Sequence, residues 1–396
     1  MAELNMTSFA AGLKQMYSPE KVKNLVYADN PLLALIPKME NFVGENYVQP
    51  VIFSNPQGGS ATFANAQANK TASKIKKFTI TTNKDYALAS IDNETILASK
   101  NNSGAFMSAV SLETDGAFAT AARSLAIALY GSGTGKLGQV ISTYSSGTTI
   151  TLSQASDIVN FEVGMKINFA VADGGGSVIS TKPTINSIDR NAGSFVVSDA
   201  TSVLANHYIY RDGDYDNKLK GLEAWLPTSV SATAFFGLDR TVDASRLAGI
   251  QYDGSTAPIE EVLISAASRL AREGGKPTHC FMSYEKFAEL EKSLGSKVQY
   301  IDLKTEAVDV GFRGIVVNGP RGPIKVIADQ NCCYNKAFLL QMDTWKLLSR
   351  GPAPQILNLD GLDKLRDASA DSIELRVGYY AQLSNSAPGY NCKITF

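Results

Sequence analysis

The sequence predicts an α+β fold built around one long helix, with a small all-β barrel or sandwich inserted into it. The first observation behind this is the run from Ser103 to Tyr130 (GAFMSAVSLETDGAFATAARSLAIALY after its serine), in which alanine recurs and proline is absent. The second is the stretch from about Leu137 to Tyr215. There, short β-rich runs (GQVIST, TTITLS, KINFAV, TINSID, SFVVSD, HYIYRD) alternate with Gly, Asn and Asp turns, and helix signals nearly vanish. The third is the return of amphipathic helices between strands after residue 257.

Composition sets the bounds. With 396 residues, 44% of them hydrophobic, the chain can bury two or three cores. No run approaches the roughly 18 apolar residues of a spanning helix, and MAELNMTSFAAG lacks the basic and apolar regions of a signal peptide, so a soluble protein used inside a cell, with no membrane partner, is expected. A net charge of −1 argues against a dedicated nucleic-acid binder. Cys280, Cys332, Cys333 and Cys392 show no metal-ligand spacing and read as buried thiols.

Two short amphipathic helices are expected first, over Thr7 to Tyr17 and Val22 to Tyr27. LLALIPKMENFVGENY then follows, apolar but broken by Pro37 and Gly44. Such an arm, with Leu32 and Leu33 at its greasiest point, is expected to find its core on a neighbouring subunit. YVQPVIF and FTITTNKDYALASID read as strands of a long two-stranded projection, which needs something to lie on. Lys70, Lys74, Lys76, Lys77 and Lys84 occur there with no acid among them, which fits either a solvated face or a surface for an acidic partner.

In the long helix, Ser103 is the expected cap and Gly131 the expected stop. About 27 residues at the helical rise span roughly 40 Å, the length of a strut. Phe106, Val110, Phe118, Ala121, Ala122, Leu125 and Leu129 make the apolar face, and Ser111, Thr114, Asp115 and Arg123 the other. Gly116 is expected to mark a bend or a close contact. The following GSGTGKLG is no phosphate loop, because Lys136 precedes Leu137 and the loop leaves a helix where it should leave a strand.

Asp212, Asp214, Asp216 and Glu223 occupy the first, third, fifth and twelfth places of a calcium loop. Asn217 stands where that loop wants glycine, and the flanks read as strand and turn, so a solvated turn is the plainer reading and no metal or cofactor is expected. Beyond it, Pro258 opens a helix that Gly274-Gly275 closes, and Ser283 caps another that ends at Gly295. Strands are expected at THCFM, GIVVNG, IKVIAD, KAFLLQM, TWKLLS, IELRVGYYAQLS and CKITF. His207 and His279 read as structural, and with no nucleophile paired to a base the chain is not expected to be an enzyme.

The order of parts, together with NPLLALIPK, GAFMSAV, GGKPTHCFMSYEKFAEL, IKVIADQNCCYNKAFLLQMDTWKL and AQLSNSAPGYNCKITF, resembles the major capsid protein of tailed bacteriophages. The resemblance implies an N-arm (1–46), an extended E-loop hairpin (47–98) and a spine helix (99–136). After the inserted β domain (137–216) it implies a P domain (217–257 and 346–396) around an A domain (258–345). It further implies hexamers and pentamers closing an icosahedral, DNA-containing head, so that the protein is found in the virion. Portal and possibly decoration proteins are the implied partners, with double-stranded DNA packaged without sequence-specific contacts. Residues 1–46 are too few for the helical scaffold that some members carry, so a separate scaffolding protein is implied. By resemblance the hairpin of one subunit lies on the P domain of the next, where Lys70, Lys74, Lys76 and Lys77 would face an acidic stretch that includes Asp363 and Asp367. The rival readings are an encapsulin-like nanocompartment shell and a β-rich binding or adhesion protein.

Overall fold

The computed structural model describes residues 30–94, 103–294, 300–305, 308–358, 365–367 and 370–396, with backbone alone at 103–112, 300–305 and 308–313. The two helices expected before residue 28 lie outside these residues, as does Asp363. The long helix is continuous over Ser103–Tyr130. Gly131 ends it, donating its N–H to the carbonyls of Ile127 and Ala128. Ala117 and Ala121 pack on Leu375 and Val377 of a sheet, while Leu125, Leu129 and Tyr130 enter the main core. The side chains of Phe106, Val110 and Ser111 lie outside the described residues.

Gly116 makes no close contact, since a Cβ built on it meets nothing within 4 Å. Its backbone is helical and its surroundings open, so Gly116→Ala is expected to stabilise the unassembled chain by about 0.5–1 kcal/mol. The thermal unfolding midpoint reads this directly, and a fall in midpoint would mean that the site is less open than described.

The arm corrects the first expectation. Pro31–Leu35 forms a short helix with proline in its first turn, and Leu32, Leu33 and Ile36 are buried in the core of their own chain. Lys38–Met39 then pairs in parallel with Trp345–Ser349, and the Phe42 N–H donates to the Ser349 carbonyl. Leu32 and Leu33 are therefore covered by their own chain and need no neighbour to bury them. They pack in the main apolar cluster, and the backbone there is tied by Asp329, some 300 positions away in sequence, whose buried carboxylate accepts from the Leu32 N–H (3.3 Å), the Tyr130 hydroxyl (2.8 Å) and the Asn331 N–H (2.9 Å). Burial raises the Asp329 pKa, and these donors oppose the rise. Leu33→Ala is expected to cost about 2–5 kcal/mol in denaturant unfolding of unassembled protein. A cost near zero would return Leu33 to the subunit boundary.

The expected strand FTITTNKDYALASID is two strands. Lys74–Ile80 pairs antiparallel with Tyr47–Ser54, whereas Asn83–Asp92 leaves the hairpin and pairs antiparallel with Ser372–Asn385. The latter strand organises a six-stranded sheet that also takes in Trp345–Ser349, Gln355–Ile356, Leu365–Arg366 and Lys38–Met39.

A seven-stranded sheet runs in the order Ile250–Asp253, Cys392–Thr395, Lys336–Leu340, His279–Met282, Gly322–Ala328, Val308–Gly319, Tyr300–Thr305. The helices Ile259–Arg272 and Tyr284–Leu294 cover it through Val262, Leu263, Ala266, Leu270 and Leu290. The expected division at 345/346 is not kept by this sheet, because the closing strand Cys392–Thr395 and Ile250–Asp253 both add to it.

Between the long helix and Asp212 a strand falls on each of the six β-rich runs, although the first takes only Gly138 and Gln139 of GQVIST; they form two three-stranded sheets: Lys136–Gln139, Tyr208–Arg211, Ile167–Ala170 and Thr149–Thr151, Ser194–Val197, Ile185–Asp189. Their core (Val140, Ile150, Phe161, Phe169, Phe195 and Ile209 among others) contains residues of this β module only. The first and last strands pair with each other, so the module enters and leaves the body at one place.

Candidate assembly surfaces

Directly paired residues on an antiparallel ribbon share a face, and the register of the 47–80 hairpin sorts its side chains into two sets. Val51, Phe53, Phe78 and Ile80 point into the main core. Phe78 meets the Trp225 ring edge-on at 5.0 Å between centroids, the Thr79 N–H donates to the Phe236 carbonyl (2.8 Å), and Arg246 donates to the Phe53 carbonyl (2.6 Å). The root is thus fixed within its own subunit. Arg240 braces the same aromatic group, its guanidinium 3.9 Å from the Phe235 centroid and donating to the carbonyls of Ala224 and Trp225. Burial pushes its pKa down to about 10.

The other face carries Val48, Pro50, Ile52, Ile75 and Lys77. Ile52 and Ile75 are cross-strand partners, yet 63% and 61% exposed, and Phe63 on the helical turn Phe63–Ala68 at the tip is 83% exposed. Branched apolar residues placed opposite each other on a ribbon and left in water make an uncovered apolar surface. Lys70, Lys74 and Lys77 are exposed around it. Lys76 is not part of that surface, because the register turns it to the inner face, where its ammonium lies 5.8 Å from the Phe53 centroid.

A second open face belongs to the six-stranded sheet. Asp85, Ala87, Ala89 and Ile91 share the register of Tyr379, Val377, Leu375 and Ile373, on the side that meets the long helix. The opposite side presents Tyr86, Leu88 (59% exposed), Arg376 and Tyr380. Tyr86 and Tyr380 meet edge-on at 6.2 Å. Of the acidic stretch beyond residue 360, Glu374 accepts from Arg376 and Asp371 accepts from the Asn93 side chain, so both are engaged within the chain; Asp367 lies beside this sheet.

The carboxylates in calcium-loop spacing diverge. Asp212 pairs with Lys182 (2.9 Å), Asp214 with Lys218 (3.0 Å) and Glu223 with Lys336, while Asp216 accepts from the Gly175 N–H (2.8 Å). The Lys182 hydrogen bond holds Asp212 below the usual carboxylate range, whereas burial raises Asp214.

Sequence reasoning missed the junction that these contacts reveal. The Lys218 ammonium lies 2.6 Å from Asp85 and 2.9 Å from the Ser124 hydroxyl, and Asp85 also accepts from Ser124 (2.6 Å) and Tyr379 (3.0 Å). One buried cluster therefore ties the strand after the hairpin, the long helix, the exit of the β module and the central strand of the sheet. Gly221 completes the joint, since a Cβ there would stand 2.3 Å from the carbonyls of Ala128 and Leu129. Both histidines serve locally: His207 Nδ1 accepts from the Leu204 N–H, and the His279 ring lies parallel to Phe281, its pKa pushed down to about 4 by burial and by Lys325.

No family model matches the chain, and no curated protein matches it in sequence. Among solved structures it is similar to the capsid asymmetric unit of cyanophage A-1(L), with a TM-score of 0.56 at 14% identity over 93% of each chain. It is also similar to the capsid of a native GTA particle, with a TM-score of 0.50 at 10% identity over 99% of this chain and 98% of the other. At these identities the likeness is one of architecture, and over nearly its whole length the chain has the HK97-like capsid fold.

Proposed function

We propose that the chain is a major capsid protein that assembles into hexamers and pentamers and closes the icosahedral, DNA-containing head of a tailed bacteriophage. The observation that carries this reading is the outer face of the hairpin, apolar and uncovered on a root fixed within the subunit. In a lone chain such a face is a liability; in a ring each copy covers it with the next. Residues 47–80 act as the E-loop, 103–130 as the spine, and the 136–211 module as an insertion on the shell. The open sheet face around Tyr86, Leu88 and Tyr380 receives the neighbouring hairpin, with Lys70, Lys74 and Lys77 near the acidic stretch that includes Asp363 and Asp367. Scaffolding and portal proteins would act during assembly, decoration proteins on the outside, and double-stranded DNA fills the shell without base readout.

The likeness to a GTA particle supports a second reading, a shell of the same architecture for a particle of that kind. Electron microscopy of the full chain, expressed alone and with its scaffolding protein, is expected to show rings and closed shells. Protein that stays monomeric in both preparations would overturn either reading, and the nucleic acid or protein inside purified shells separates them from a nanocompartment.

A further inference from the structure

A cleft of about 710 Å³ separates the β module from the body. Its module wall is the turn Gln154–Asn160. Its body walls are the start of helix Tyr284–Leu294 and the loop before strand Lys336–Leu340. Arg123 of the long helix latches one end by donating to the Val159 carbonyl. Asp157 faces this cleft with no ion-pair partner among the described residues, and its surroundings explain why. Lys136 lies near it but pairs with Asp173 (3.7 Å), and Lys336 lies near it but pairs with Glu223. Glu285, at the helix start, adds a like charge from the opposite wall, and Cys333 lies close by with a thiol raised by burial to about 12. Arg190 lines the same cleft but pairs with Glu162 (3.2 Å), and Arg211 lies by Asp214.

We infer that this cleft is a proton-sensitive joint, in which protonation of Asp157 keeps the 154–160 turn seated on the body as it is here, held at Val159 by Arg123 across from Glu285, and its ionisation loosens that seat. The physical basis is a half-buried carboxylate whose two neighbouring cations are committed elsewhere and whose third neighbour repels it. Burial raises its pKa from 3.8 to about 6. A carboxyl raised in the seated form takes up its proton there first, so seating strengthens as pH falls through about 6 and is complete below 3.8, where an unseated Asp157 is protonated too. The inference concerns the single chain and does not rest on the shell reading.

Amide hydrogen exchange of the full unassembled chain, corrected for intrinsic rates, tests it at pH 7.5 and pH 5. Protection of residues 155–160 is expected to rise by up to about tenfold at the lower pH, pH 5 lying one unit below the raised pKa and one unit being a factor of ten. Asp157→Asn is expected to be protected equally at both, and Glu285→Gln to show a smaller pH dependence than the parent while folding by circular dichroism. Protection that does not change with pH in the parent, or that changes as much in Asp157→Asn, would overturn the joint.

Discussion

Lys218→Met is expected to be the most damaging single change in the body of this protein, costing roughly 3–5 kcal/mol and leaving much of the unassembled chain unfolded. Among the described residues, the lysine is the one cation in contact with both Asp85 and Asp214, at 2.6 and 3.0 Å, and all three side chains are largely shielded from water. Burial alone would raise the pKa of Asp85; Lys218 and the hydroxyls of Ser124 and Tyr379 reverse that and hold it below the usual value. In the parent, a depressed carboxylate lends stability that is present above pH 3.8 and lost as pH falls through the lowered folded value. In Lys218→Met the sign inverts for Asp85, while Asp214, already raised by burial in the parent, rises further. Both carboxylates then have raised folded values, so the variant should gain stability as pH drops from 7 towards 5. Adding Asp85→Asn should recover part of the loss at neutral pH. Urea unfolding at the two pH values measures both effects, and a variant within 1 kcal/mol of the parent at pH 7 would show that the junction is less dry than its contacts indicate.

Local pattern carried the elements whose partners are near in sequence. Each of the six β-rich runs between Leu137 and Tyr215 carries a strand because alternation and turn residues sit side by side there and its core draws on nothing outside it. The long helix was legible for the same reason. What failed were inferences about which surface covers an apolar stretch. Leu32 and Leu33 read as an uncovered arm because the carboxylate that seats them is Asp329 and the wall they meet includes Trp345. FTITTNKDYALASID read as one strand because its division at Thr81-Thr82 follows from the pairing of Asn83–Asp92 with a strand that begins at Ser372.

One signal for the Lys218 junction was present. Asp85 occupies the inward register with Ala87, Ala89 and Ile91, and a charge in an otherwise apolar register implies a buried partner. Nothing in the sequence identified that partner as Lys218. The candidate surfaces were legible to the same degree: the hairpin was found, but Lys76 was placed among its outward lysines because register, which sets the face, depends on the pairing of Val51 with Lys76.

The outer face of the hairpin is where the largest effect on assembly is expected. Ile52→Asp combined with Ile75→Asp should leave the subunit soluble and folded, since both side chains are mostly in water and their strands are anchored from the other face by Val51, Phe53 and Phe78. Burying an isoleucine against a neighbour stabilises by about 1.5–3 kcal/mol, and an aspartate there brings a desolvation penalty in its place. Repetition at every contact of a ring multiplies the loss, so rings and shells should be absent by sedimentation and electron microscopy while the thermal midpoint stays near that of the parent. Reversing charge at Lys70, Lys74 and Lys77 should act more weakly and with salt dependence, because exposed ion pairs contribute only about 0–1 kcal/mol each. Placing Leu88→Lys on the open sheet face should then restore part of the assembly of the aspartate variant if that face receives the hairpin. Normal shells from the aspartate variant would remove the hairpin's outer face from the contact. Shells lost in that variant but unmoved by Leu88→Lys would keep the hairpin and assign its receiving surface elsewhere.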